Sequence, residues 1–94
     1  MIDALNNELN VGDFVLVGDK HGLSPEVIYQ IKPKRVITTT NFRTTTPTKM
    51  ILITEKQLRQ WCKTNFINVG SYYNCKSVTI LINYFIRQQK NILK

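Results

Sequence analysis

Cysteine is scarce in this sequence, with Cys62 and Cys75 the only two among 94 residues. That is too few for the disulfide scaffold of a small exported domain, so free buried thiols are expected. Long apolar runs are also missing. The richest stretch, 78–86, is interrupted by Thr79 and Asn83 and falls far short of the ~20 residues that span a bilayer. The opening MIDALNNELN has neither a basic start nor an apolar run. No signal peptide and no membrane association are therefore expected, and cytoplasmic residence is the default.

Residues that carry catalysis are sparse. His21 is the sole histidine, in Asp19-Lys20-His21-Gly22, and neither Asp19 nor Glu26 completes a zinc-ligand spacing with it. Cys62 lies on the same helical stripe as Leu58 and Trp61, where a thiol is buried and inert. The glycines Gly12, Gly18, Gly22 and Gly70 match neither a dinucleotide fingerprint nor a phosphate loop. No enzymatic activity, metal or cofactor is expected.

Acids are nearly absent from most of the chain. Residues 1–31 hold five of them, Asp3, Glu8, Asp13, Asp19 and Glu26, against Lys20, a net charge of −4. Residues 32–94 hold twelve lysines and arginines against Glu55 alone, a net charge of +11. An imbalance of this size is an argument about partners, and it points to a polyanion.

The length fits one domain over residues 1–94, and the 43% apolar content fits a packed core. Ile2, Leu5 and Leu9 are spaced for a short helical turn. Asn10-Val11-Gly12-Asp13 reads as a turn, Phe14-Val15-Leu16-Val17 as a strand, and 20–25 as a loop. Alternation over Val27, Tyr29 and Ile31 predicts a second strand, and Lys32-Pro33-Lys34-Arg35 a tight connection. Val36-Ile37-Thr38-Thr39-Thr40 and Lys49-Met50-Ile51-Leu52-Ile53 read as further strands, joined through a hairpin end over 41–48.

The period then changes. Thr54-Glu55-Lys56-Gln57 matches a capping box, and Leu58, Trp61 and Cys62 follow at helical spacing. Residues 65–76 read as a connection. The last segment fits a helix through Val78, Leu81, Ile82, Phe85 and Ile86, with Ser77 as N-cap. It also fits a strand through Val78, Ile80, Ile82, Tyr84 and Ile86, and the helix is the preferred reading.

The fold expected is α+β: a small antiparallel barrel over about 10–54, followed by one or two helices over 55–94. The opening strand Val11-Gly12-Asp13-Phe14-Val15-Leu16-Val17, with the strands after it, resembles an SH3-like barrel of the KOW type. That resemblance implies binding of nucleic acid or ribonucleoprotein. The Asn, Ile, Lys and Thr richness resembles small early bacteriophage proteins, which implies a role in acting on host complexes.

Candidate contact residues follow the charge. Lys32, Lys34 and Arg35 cluster in one turn, and Arg43 and Lys49 border the threonine-rich stretch 38–48. Phe42 stands between Asn41 and Arg43 as a candidate for stacking or wedging. Lys56, Arg59 and Lys63 form one face of the first helix, opposite its apolar stripe. Ammonium, guanidinium and hydroxyl groups are donors to phosphate oxygens, contacts that position without reading sequence. Tyr72 and Tyr73 beside Lys76 form a further aromatic-basic pair, and Arg87, Lys90 and Lys94 close the chain. The function expected is nucleic-acid binding with little sequence specificity, duplex DNA favoured over RNA. The alternative is a protein-binding module, an inhibitor or adaptor of a host complex. The width of the last apolar segment raises a homodimer as a further possibility.

Overall fold

A computed structural model describes residues 2–19, 22–39, 44–69 and 73–94. The class is α+β. Five strands are β1 (Phe14–Asp19), β2 (Gly22–Ile31), β3 (Val36–Thr38), β4 (Thr44–Thr45) and β5 (Met50–Ile53); two helices follow, α1 (Glu55–Val69) and α2 (Val78–Ile92). The strands form one antiparallel sheet in the order β4-β3-β2-β1-β5.

The expected closure into a barrel is not formed. β4 and β5 are the two edges, and no ladder joins them. The sheet is nonetheless rolled, as its register shows. Thr45 pairs with Val36, which pairs with Ile31, whereas Met50 pairs with Val17, which pairs with Ser24. In a flat sheet those levels lie seven residues apart on β2, about 23 Å, and the edges would be a further ~19 Å apart. Only 46–49 joins them, and Pro47–Lys49 is a 3-10 turn with a rise of ~2 Å per residue. The two edges must therefore bend toward each other.

Side-chain alternation along the rolled sheet produces two cores. Val15, Val17, Ile28, Val36 and Met50 face inward with Leu9. Phe14, Val27 and Ile53 face outward and are covered by Leu58 and Cys62 of α1 and by Leu81, Ile82 and Phe85 of α2. The inner face also holds two polar groups, Glu26 and Thr38, both buried. The Thr38 hydroxyl donates to the Glu26 carboxylate, which supplies the partner that a buried acid needs.

Local chemistry sets the boundaries of these elements. The capping box forms as read: Gln57 N–H donates to Thr54 Oγ1 at 3.1 Å, and Thr54 N–H to Gln57 Oε1 at 2.8 Å. Ser77 caps α2 by accepting from Ile80 N–H at 3.2 Å, so the last segment is a helix. In the 10–13 turn Gly12 has φ +93°, and a Cβ there would lie 2.6 Å from Leu93 Cδ2. The 32–35 connection closes through Lys32 N–H to Arg35 O at 2.8 Å.

Three local expectations are corrected. The stretch 22–25 is strand, with Pro25 paired opposite Leu16; among the described residues the ladder to β3 begins only at Ile28, so no described partner calls on the N–H that Pro25 lacks. α1 continues to Val69 rather than stopping near 64, because Phe66 and Val69 extend its apolar stripe onto the outer core. The opening residues form no helical turn. Ile2 and Leu5 are exposed and only Leu9 is buried, because the Asp3 carboxylate draws the backbone into a turn. It accepts from Leu5 N–H at 2.9 Å, Asn7 N–H at 2.8 Å and Leu52 N–H at 2.7 Å.

The last of those bonds, with Ala4 N–H to Met50 O at 3.0 Å, occupies the outer edge of β5, which would otherwise offer unpaired groups to another strand. Burial works against the Asp3 charge, but the bonds from Leu52, Asn7 and Leu5 prevail and hold its pKa below the ordinary value. A lowered carboxylate pKa stabilises the fold above the unfolded-state value, and that contribution is lost as pH falls through the folded-state value. Asp3→Ala is thus expected to cost about 2 kcal/mol at neutral pH, since hydrogen bonds to a charged group are lost and Leu52 N–H is orphaned. The deficit against the native protein should shrink below about pH 4, as chemical unfolding at two pH values would show.

Candidate nucleic-acid interface

The described candidate cations all point to solvent. Lys32, Lys34 and Arg35 are exposed in the β2–β3 turn, and Lys49 is exposed at the end of the 3-10 turn. The roll of the sheet brings these two turns together: Lys32, Pro33 and Lys34 of one and Pro47 and Thr48 of the other line one open groove, along with Ile2 and Ile31. Residues fifteen or so positions apart in sequence thus form a single rim, which no short-range pattern announces.

Lys56, Arg59 and Lys63 form a second group. They are exposed on α1, opposite the buried Leu58 and Cys62. Lys49 immediately precedes β5 and Lys56 follows its end by three residues, so the groups flank a strand of four residues, roughly 13 Å long. Phe42 and Arg43 lie outside the described residues, as do Lys20, His21 and Tyr72. Tyr73 is half-buried, packed on Tyr84 and Phe85 at ring separations of 5.8 and 5.5 Å; it belongs to the core rather than to a contact surface.

Acids do little to neutralise this surface. Among the described residues, the ion pair made by these cations is Arg59 Nε with Glu55 Oε2, 3.2 Å apart and half-exposed. An exposed pair one helical turn apart contributes only ~0.3–0.5 kcal/mol, so Arg59 is easily released to another anion. Two of the five acids in the opening third are turned inward. Asp3 and Glu26 are buried, and Asp13 is engaged by Asn10 N–H at 2.8 Å. The outer surface is accordingly more positive than the net charge of +7 conveys.

The remaining reactive groups are placed structurally. Both cysteines are free. Burial, helped by the nearby Cys75, pushes the Cys62 thiol up to about 11, so it is protonated and unreactive at neutral pH. Among the described residues no three His, Cys, Asp or Glu side chains gather to hold a metal, and no helix is long and apolar enough to cross a membrane. On α2, Tyr84 packs within the chain on Phe85, 5.2 Å between ring centres, while Ile80 is exposed. Part of the apolar width read from the sequence therefore serves the core.

The fold and surface define a small α+β protein with a rolled, open sheet and two exposed cationic groups. Comparison with protein-family models, with curated proteins and with solved structures gave no match.

Proposed function

We propose that this protein binds nucleic acid, duplex DNA in preference to RNA, by phosphate contact with little sequence specificity. The observation that carries the reading is the pair of exposed cationic groups flanking β5, in a molecule that buries two of its six acids, Asp3 and Glu26. With cations at both ends of β5, the surface offers phosphate contacts at more than one point along a duplex backbone. Neither group is arranged to read bases: the α1 cations stand on a helix whose apolar side is committed to the core. The KOW-type resemblance of 11–17 adds weight, since barrels of that kind commonly bind nucleic acid. The protein acts in this reading as a binder and not as a catalyst, in the cytoplasm.

Fluorescence anisotropy with a labelled duplex, a single strand and an RNA hairpin tests the proposal. Duplex binding at low salt with an affinity of roughly micromolar or better is expected, weakening as salt rises. Absence of any binding at low salt overturns the reading.

A second reading, an adaptor or inhibitor of a host protein complex, is favoured by the apolar lining of the groove between the two turns.

A further inference from the structure

We propose that this groove is a docking site for an acidic peptide segment carrying an apolar anchor. Ile2, Ile31, Pro33 and Pro47 make its floor apolar, while Lys32, Lys34 and Thr48 supply its polar groups. It is an open surface depression of about 750 Å³ rather than an enclosed cavity, a form suited to a peptide laid across it. Among the described residues no acid lines it, and Arg35 and Lys49 stand exposed beside it, so charge selects an anionic occupant.

The lining distinguishes among anions. Single-stranded nucleic acid is held by aromatic rings on which bases stack, and among the described residues this floor is aliphatic and proline with no aromatic residue. A duplex presents phosphates on a convex surface and cannot use an apolar recess. The two cations lining the groove are lysines, compact point charges that accept carboxylates from many directions, rather than planar guanidinium forks. A leucine or similar side chain on the floor, flanked by carboxylates on the rim, satisfies both halves of the site. The floor is also held in place. Ile2 bridges to Glu8, and Asp3 beside it is tied to β5 through Leu52, so little ordering cost falls on binding.

The test uses the full chain and two labelled glutamate-rich peptides of equal length and charge, one with central leucines and one with glycines in their place. The leucine peptide should bind about tenfold tighter, the value of burying one large aliphatic side chain. Ile2→Ser with Ile31→Thr should abolish that difference while leaving duplex DNA affinity unchanged, because every cation is retained. Lys32→Gln with Lys34→Gln should weaken both peptides. If the double floor variant does not fold by circular dichroism, Ile2→Ser alone, at an exposed position, serves the same comparison. Equal binding of the two peptides overturns the proposal. So does a folded floor variant that loses single-stranded or duplex DNA as strongly as peptide. Failure of the native protein to bind DNA would sink the nucleic-acid reading and leave this one standing.

Discussion

Replacing Lys32, Lys34, Arg35 and Lys49 together by glutamate is expected to lower affinity for duplex DNA on the order of a thousandfold at low salt, since four phosphate contacts are lost and four repulsions added. All four side chains are exposed, and the bond closing the β2–β3 turn runs between backbone atoms of Lys32 and Arg35. Folding should therefore be unaffected, and a thermal melt would verify it. The comparison that gives the result meaning is Arg87→Glu with Lys90→Glu and Lys94→Glu. Those residues are also exposed but lie outside both cationic groups, so their reversal should cost less than about tenfold through the overall field. Anisotropy titrations of both variants against one duplex would decide. Equal losses would mean that net charge alone attracts DNA and that no particular surface is used.

Phe85→Ala is expected to destabilise the protein by about 3–5 kcal/mol, the range for removing a large aromatic side chain from a close-packed core. Phe85 is fully buried, at the centre of the outer core, where it meets Tyr73 and Tyr84 edge-on and packs among residues that join α2 to the sheet. A chain of this size has ~5–15 kcal/mol of stability in total, so the variant should lose much of its margin. Urea unfolding followed by circular dichroism would give the difference. A loss under about 1 kcal/mol would mean that α2 does not dock on the sheet as described.

The readable parts of the fold were those fixed by chemistry within a few residues. Thr54 and Gln57 cap α1 through reciprocal bonds, Ser77 starts α2, and the 10–13 and 32–35 turns close where Gly12 and Pro33 indicate. What escaped the sequence depends on contacts between distant residues. The extent of β2 across Pro25 depends on its pairing with β1, where Pro25 lies opposite Leu16. The opening segment follows Asp3, whose carboxylate bonds to Leu52, forty-nine positions away. Likewise the charge tally anticipated a cationic surface but could not show that Asp3 and Glu26 are buried, or that the roll of the sheet sets Lys32, Lys34 and Thr48 around one groove. The groove itself had no signature, because Ile2, Ile31 and Pro47 come from three separate parts of the chain.

The steepness with which duplex affinity falls as salt rises counts the phosphates that the cations neutralise. If five to seven of the exposed lysines and arginines flanking β5 engage the backbone, a plot of log affinity against log salt should slope at about −4 to −6. A slope shallower than about −1, with affinity kept at physiological salt, would mean that the complex is not held by these charges and would contradict the account.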